Sequence, residues 1–300
     1  NQTAAVQNRQ NYSVYFVPTG YGWLDDKIRN TSLLIQYKSR PTLSLAGLRR
    51  RVKREKQLLT DLLRSEGFFA GSINTVQNRG SFQGQAITVK VDTGPVFVNR
   101  NYAIVYDSNL AVAEKQRQLS TARTSFEQNK RANSATILET EQKLLRDLSN
   151  NGFPFAKTVN RTITVDHATT SVSVNLSLEL GPRSTYGSTM FSGLKTADPD
   201  FLLSTMGLKK GATYSQNELD EAKKKLLNTG LFTNVKISKQ ATTSDYGVVT
   251  LMVEVRERPK HQVRLSAGAS IKNGPEASIE WRHRNLFGKA QNLTVKLEGD

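Results

Sequence analysis

The sequence predicts an α+β protein in which three tandem modules precede a three-stranded meander. Three observations predict this class. A pattern of helix, glycine and two strands occurs three times, each pattern ends at a proline, and beyond residue 260 the hydrophobic period shortens from about 3.6 residues to two. In each module we expect a small sheet covered by two helices, in the order strand, helix, helix, strand, strand. The modules are predicted to span residues 11–94, 95–181 and 182–259, and the meander residues 260–300.

A glycine follows the leucine-rich helix of each repeat. These residues are Gly67, Gly152 and Gly230, and their separations of 85 and 78 residues suit small independent domains rather than stacked solenoid repeats. Glycine readily takes the left-handed conformation that ends a helix, which a residue with a Cβ adopts only at a steric cost. We therefore interpret the three glycines as structural, and we expect the bulky apolar residue after each one to fill the core.

Two strands follow each glycine, and the second strand alternates apolar and polar residues. Its apolar positions are Ile87, Val89 and Val91 in the first copy, Val172, Val174, Leu176, Leu178 and Leu180 in the second, and Val249, Leu251, Val253 and Val255 in the third. Opening strands are predicted at 96–106 and 186–191. In the third copy, apolar residues in 201–206 before Gly207 predict an additional helix, which gives two helices per module. In the first copy, the segment 23–64 is longer than an ordinary helix pair and contains Pro41 and a basic run.

Beyond residue 260 the chain has strand periodicity throughout. Apolar and polar residues alternate along 263–271, 277–281 and 293–297, which predicts three antiparallel strands. Strands of a transmembrane barrel alternate in this way between lipid and lumen, and so do strands of a soluble sheet with one wet face. Alternation alone leaves both interpretations open.

The composition excludes several classes of protein. The chain has 300 residues and no cysteine, so disulfide scaffolds, thiol nucleophiles and cysteine-ligated zinc are excluded. It carries 42 Lys and Arg against 26 Asp and Glu, a net charge of +16. The basic runs at 49–56 and 223–225 fit solvated helix faces, contacts with anionic lipid, or contacts with a polynucleotide. Aromatic residues do not cluster with these charges and no docking motif is present, so we expect no nucleic-acid partner.

The sequence predicts no catalytic site. His167, His261 and His283 are scattered along the chain, and neither an HExxH zinc motif nor a Gly-x-Ser-x-Gly elbow accompanies them. Acidic residues near predicted helix starts suit the positive end of the helix dipole. We therefore expect a protein that is not an enzyme and has no metal and no cofactor.

Two segments resemble a known family. The first is Gly207-Leu208-Lys209-Lys210-Gly211, continuing through Tyr214, Leu219, Ala222, Leu226, Gly230 and Phe232, and the second is Asn285-Leu286-Phe287-Gly288-Lys289-Ala290-Gln291. The first resembles the polypeptide-transport-associated (POTRA) domain, and the second resembles a turn between early barrel strands. Together they are similar to the BamA/TamA superfamily, in which tandem POTRA domains precede an outer-membrane β-barrel. Three repeats resemble its TamA branch, the barrel subunit of the translocation and assembly module.

The resemblance implies an outer-membrane protein with POTRA domains in the periplasm, which aids the assembly or translocation of other polypeptides. Its substrates would be unfolded outer-membrane or autotransporter chains that add to a sheet edge as an extra strand. In the family this edge is the second strand of each POTRA domain. The binding residues would then be Ser72, Ile73, Asn74, Thr75, Val76 and Gln77; Thr158, Val159, Asn160, Arg161 and Thr162; and Asn234, Val235, Lys236, Ile237, Ser238 and Lys239.

The same resemblance implies further partners. A large TamB-like periplasmic partner anchored in the inner membrane would bind the first domain, and outer-membrane lipid would surround the barrel. The third domain would dock against the barrel rim, with Gly288 as a structural turn residue. Because family barrels have more strands, we expect the sequence to be a piece of a longer protein. Two alternatives stay open: a two-partner secretion exporter of the same superfamily, and a soluble basic nucleic-acid-binding protein.

Overall fold

The computed structural model describes residues 12–40, 44–79, 85–106, 126–241, 247–270 and 274–299. Within these ranges the chain forms six α-helices and four three-stranded sheets. The predicted α+β class is therefore confirmed. The chain divides into two compact units, of which the first contains the first sheet and most of the second, and the other contains the third and fourth sheets together with residues 145–157.

The first sheet has the strand order β1-β3-β2. Its strands are β1 (Tyr12–Val17), β2 (Ser72–Arg79) and β3 (Gln85–Asp92), and its helices are α1 (Gly22–Thr31), α2 (Leu33–Gln36) and α3 (Leu45–Ser65). β1 runs parallel to β3, and β2 runs antiparallel to it. The core includes Leu24, Ile28, Leu59 and Ile87, which pack the helices against the sheet.

The long segment of the first repeat forms three helices rather than two, and side chains hold the short one in place. The Ile35 N–H donates to Ser32 Oγ at 3.2 Å, and the N–H groups of Leu33 and Leu34 donate to Glu55 Oε2 at 2.8 and 3.3 Å. Glu55 is fully buried, and burial raises the pKa of its carboxyl although hydrogen bonds from Ser32, Leu33 and Leu34 oppose the rise. These contacts are needed because a four-residue helix is too short to stabilise itself.

The second sheet has the strand order β4-β6-β5. It consists of β4 (Val98–Tyr106), β5 (Lys157–Asp166) and β6 (Ser171–Glu179), with the helix α4 (Ser134–Asn150). β4 begins two residues after the predicted start because Phe97 is bonded elsewhere: its N–H donates to the Gly67 carbonyl at 2.9 Å, and its carbonyl accepts from Ala132 N–H at 2.8 Å. The other predicted helix of this repeat falls on residues 107–125, outside the described residues.

The third sheet has the strand order β7-β9-β8. It consists of β7 (Thr185–Ser192), β8 (Phe232–Ala241) and β9 (Val248–Glu257), with helices α5 (Pro199–Met206) and α6 (Gln216–Asn228), in the predicted element order. Asp198 caps α5 by accepting a hydrogen bond from Asp200 N–H at 2.9 Å, and Gly207 ends that helix with φ +71°. Leu202, Leu226, Phe232 and Val253 lie in its core.

The fourth sheet is an antiparallel meander of β10 (His261–Ser270), β11 (Gly274–Arg284) and β12 (Asn292–Gly299). The predicted turn between its first two strands begins at residue 273, outside the described residues. One face carries exposed apolar side chains, namely Val263, Leu265, Ile279, Val295 and Leu297. That these are the first strands of a barrel stays a prediction. In the described part of the chain, no α-helix combines the length and the apolar character needed to span a membrane.

Candidate functional site at the sheet edges

The second strand of each of the first three sheets lies at an edge. In all three strand orders, the last strand of the repeat occupies the centre of its sheet. The predicted binding residues 72–77 lie in β2, residues 158–162 in β5 and residues 234–239 in β8. An edge strand presents a row of backbone N–H and C=O groups that lack a strand partner. The structure therefore provides the geometry that strand addition needs, while binding itself stays a prediction.

β5 is the most exposed of these edges. It has no buried residue along its ten positions. Val159 is 63% exposed and Ile163 is 42% exposed, although both are apolar. A long edge strand with exposed apolar side chains is a ready template for another extended chain.

Glu141 of α4 fixes β5 on its helix. Thr158 Oγ1 donates to Glu141 Oε1 at 2.7 Å, and Arg161 Nη1 donates to Glu141 Oε2 at 2.7 Å. Glu141 interrupts the apolar stripe of the helix, and these contacts explain why a carboxylate stands there. Two of the five predicted residues in this strand thus use their side chains to position it.

The edges β2 and β8 each contain a residue whose side chain is in the core. Ile73 and Val235 are each only 1% exposed, so they can meet a partner only through their backbone. Val76, by contrast, is 54% exposed in β2. A partner at these edges would be recognised by its backbone more than by its side chains.

Lys239, at the far end of β8, has a structural role. Its Nζ donates to the Pro154 carbonyl at 2.9 Å and lies 5.4 Å from the centre of the Tyr214 ring. Burial lowers the pKa of Lys239. Its ammonium group is therefore engaged within the protein, and only its backbone faces the edge.

The three repeat glycines share a positive φ but have different surroundings. φ is +85° at Gly67, +93° at Gly152 and +74° at Gly230. A Cβ on Gly67 would lie 2.3 Å from the Ala132 carbonyl oxygen, and one on Gly152 would lie 3.0 Å from a methyl carbon of Thr213, whereas one on Gly230 would meet nothing within 4 Å. Close approach of the backbone as well as the helix end therefore requires glycine in the first copy, whereas in the second copy only side chains lie near the position of a Cβ.

A carboxylate at the end of β9 organises the loop that precedes α5. Glu257 Oε1 accepts hydrogen bonds from the backbone N–H groups of Lys195, Thr196 and Ala197 at 2.8, 3.0 and 3.1 Å. Its Oε2 accepts one from the Thr196 hydroxyl at 2.8 Å. Burial disfavours the charged form, but these hydrogen bonds outweigh it and lower the pKa of Glu257.

The same loop contacts the turn between β11 and β12. Asn285 Nδ2 donates to Thr196 Oγ1 at 3.2 Å, and Asp198 N–H donates to the Gly288 carbonyl at 3.0 Å. Asn285 is buried with φ +60°, and its side-chain oxygen accepts from Ala290 N–H at 3.0 Å. The turn singled out in the sequence is thus ordered by its own asparagine and joined to the third sheet through Thr196.

Comparison with known proteins agrees with this geometry. The POTRA family model, described as a surface antigen variable number repeat, matches residues 184–258, which contain the third sheet with α5 and α6. The outer membrane protein assembly factor BamA of Buchnera aphidicola is 21% identical over 238 residues, which cover 78% of this chain and 37% of that protein. Chloroplastic outer envelope protein 80 of Arabidopsis thaliana is 34% identical over 106 residues, covering 33% of this chain and 14% of that protein. Residues 184–258 of this chain therefore match the POTRA family, and the chain is similar to BamA over most of its length.

Solved structures show the same fold. BamA POTRA domains 3–5 of Haemophilus influenzae superpose with a TM-score of 0.53 at 18% identity, covering 83% of this chain and 96% of that structure. BamA of Haemophilus ducreyi lacking POTRA domains 1–3 superposes with a TM-score of 0.59 at 17% identity, covering 68% of this chain and 37% of that structure. The matches span 37% and 33% of the length of two curated BamA relatives. Both relatives are named as outer membrane protein assembly factors.

We expect Glu257→Gln to loosen the POTRA domain at 184–258. Glutamine keeps an acceptor oxygen but loses the charge that strengthens its hydrogen bonds, so the opening free energy of β9 amides should fall by about 2 kcal/mol at pH 7. Native-state hydrogen exchange of the 300-residue chain measures this change. Because the pKa of Glu257 is lowered, its stabilisation is present above the reference value of 4.5 and is lost as pH falls through the lowered pKa. In the Glu257→Gln variant, the opening free energy of β9 amides should therefore lack the part of its fall at low pH that comes from protonation of Glu257.

Glu254→Gln is the matched control. Glu254 lies on the same strand, and within the described ranges its one ion pair is with exposed Lys236, at 3.2 Å, so its loss should cost less than about 0.5 kcal/mol. Equal losses in the two variants would contradict the role assigned to Glu257.

Two of the histidines of this chain are neighbours in the fold. His261 and His283 pair across β10 and β11 with ring centres 4.6 Å apart, and His261 also stacks on Trp281 at 5.8 Å. The prediction of scattered histidines is wrong for this pair, because a hairpin joins residues that are 22 positions apart. The ring of His167, in the turn after β5, packs against the Phe97 ring with the ring centres 5.2 Å apart. No cluster of three or more metal-ligating side chains occurs among the residues that the structure describes.

Proposed function

We propose that this chain is the periplasmic POTRA arm of an outer-membrane assembly or translocation protein, and that it binds unfolded outer-membrane or autotransporter polypeptides by strand addition. The observation that carries the proposal is the repeated strand order, which leaves β2, β5 and β8 at sheet edges. Relatives named as outer membrane protein assembly factors support the substrate class. The chemistry involved is hydrogen bonding and apolar contact, with no covalent step.

β5 is the edge that we assign as the main binding site. Its ten-residue length allows several backbone hydrogen bonds to an incoming chain, which gives affinity with little dependence on sequence. Val159 and Ile163 add exposed apolar surface along the strand. Unfolded barrel strands alternate apolar and polar residues, so every second side chain of a substrate can contact this surface.

We assign the fourth sheet to the start of a barrel surrounded by outer-membrane lipid. Its exposed apolar face supports this assignment, because lipid-facing barrel residues are apolar at every second position. The contacts from Thr196 to Asn285 and from Asp198 to Gly288 would then fix the POTRA domain to the barrel. The three repeats support the TamA branch, in which a large TamB-like partner binds the first repeat.

The test uses a labelled peptide that copies one strand of an outer-membrane barrel. Fluorescence anisotropy measures the binding of this peptide to the chain. A control peptide with the same sequence carries N-methyl groups at alternate residues along one edge, which removes the donors needed for pairing. We expect the control to bind at least about tenfold more weakly. Equal binding of the two peptides would contradict strand addition. Binding to one dedicated secreted protein alone would favour the exporter alternative, and preference for an oligonucleotide would favour the nucleic-acid alternative.

A further inference from the structure

An arginine-lined groove lies between α2 and α3 of the first unit. Its volume is about 430 Å³, within the range of small-molecule sites. The lining residues are Leu33, Tyr37, Arg40, Gly47, Arg50, Arg51 and Arg54. The last four occupy one stripe of α3, at spacings of three and four residues. The groove is therefore a consequence of the basic run in the sequence combined with the short helix that packs beside it.

Arg51 is held rigidly at this groove. Its Nη1 donates to Tyr12 Oη at 3.0 Å, to the Tyr37 carbonyl at 3.2 Å and to the Arg40 carbonyl at 3.0 Å. Its guanidinium carbon also lies 5.7 and 5.4 Å from the ring centres of Tyr12 and Tyr37. A guanidinium fixed in this way loses little conformational entropy when it binds a further group.

Positive charge in the groove is not balanced by acidic neighbours. None of the lining residues is acidic, and across the described ranges no ion pair involves Arg40, Arg50 or Arg54. Glu55 follows Arg54 in the sequence, but its carboxyl is buried and accepts a hydrogen bond from Leu33 of α2. Like charges four residues apart on a helix repel, so Arg50 and Arg54 destabilise α3 when the groove is empty of anions. This arrangement indicates a ligand rather than a structural role.

We propose that the groove binds a phosphate ester. A carboxylate presents two oxygens and is satisfied by one guanidinium fork, whereas a phosphate group presents more oxygens to several forks at once. Leu33 and Tyr37 form a less polar wall, which suits an organic group attached to the phosphate. The headgroup of an anionic phospholipid and a soluble phosphate ester share this chemistry. Phosphate binding at this groove does not depend on strand addition, because the groove lies at a helix pair and not at a sheet edge.

The test uses the full 300-residue chain with two sources of phosphate ester. One source is glycerol 3-phosphate, and isothermal titration calorimetry measures its binding. The other is phosphatidylglycerol in phosphatidylcholine vesicles. Co-flotation measures binding to these vesicles, with vesicles of phosphatidylcholine alone as the control. We expect saturable binding to at least one source. Binding to phosphatidylglycerol vesicles alone assigns the ligand to lipid, and binding to glycerol 3-phosphate assigns it to a soluble ester.

Paired variants with the same charge change separate the groove from general basicity. Arg50→Gln with Arg54→Gln removes two charges from the groove, and Arg49→Gln with Lys53→Gln removes two exposed charges from α3 outside it. The groove variant should lose at least about tenfold in affinity and the control less than about threefold. Equal losses, binding to neither source, or binding only to an acidic peptide or an oligonucleotide would overturn the proposal. Circular dichroism of both variants checks that each one folds.

Discussion

A proline at the outward-facing N–H of β5 should weaken binding of a barrel-strand peptide at least about tenfold while the second sheet stays folded. Successive N–H groups of an edge strand point alternately to the neighbouring strand and to solvent. Val159→Pro and Asn160→Pro therefore remove one N–H of each kind. The variant that loses the outward N–H keeps its ladder with β6, because proline is tolerated on the open side of an edge. In that variant the affinity for the peptide should fall at least about tenfold.

Hydrogen exchange of β6 identifies which proline variant keeps the sheet, and fluorescence anisotropy then gives its affinity. Val159→Thr is the control, since threonine is also β-branched and keeps the backbone N–H. This control should bind within about threefold of the original chain. A folded proline variant that binds the peptide as well as the original chain would show that β5 is not the binding edge.

Gly67→Ala should cost far more stability than Gly230→Ala, although both glycines follow a helix with positive φ. A left-handed alanine costs about 1–2 kcal/mol by itself, and nothing else opposes a Cβ at Gly230. At Gly67 the Cβ would come within 2.3 Å of the Ala132 carbonyl oxygen, and the hydrogen bond from Phe97 N–H to the Gly67 carbonyl would be strained. We expect a total loss of about 3 kcal/mol or more there.

Hydrogen exchange of the most protected amides measures the opening free energy in each variant. Amides of β3 report on Gly67→Ala, and amides of β9 report on Gly230→Ala. Both sets of amides lie in central strands, which open only when the sheet unfolds. Losses of about 1 kcal/mol in both variants would mean that Gly67 serves only as a helix end.

Local patterns predicted the elements that are long and periodic. The alternation in β3, β6 and β9 and the stripes of α3, α4 and α6 are properties of consecutive residues, so the sequence reveals them. The four-residue α2 is shorter than two helical turns and has no measurable period, and for this reason the groove beside it was not predicted.

Contacts between distant residues were the part that periodicity could not supply. Glu257 and Thr196 are 61 residues apart, and no local pattern pairs a strand-end carboxylate with a loop. The register of β10 and β11 likewise decides that His261 faces His283. Glu141 was visible as an interruption of an apolar stripe, but its partners Thr158 and Arg161 were not.

Hydrogen exchange of the 300-residue chain with and without an unfolded outer-membrane barrel segment tests strand addition most directly. If the segment adds to an edge, amides in 158–162 of β5, or in the equivalent parts of β2 and β8, should gain protection while amides of the central strands stay unchanged. Strand addition would be contradicted if a saturating concentration of the segment protected none of these three edges, or protected helix surfaces instead.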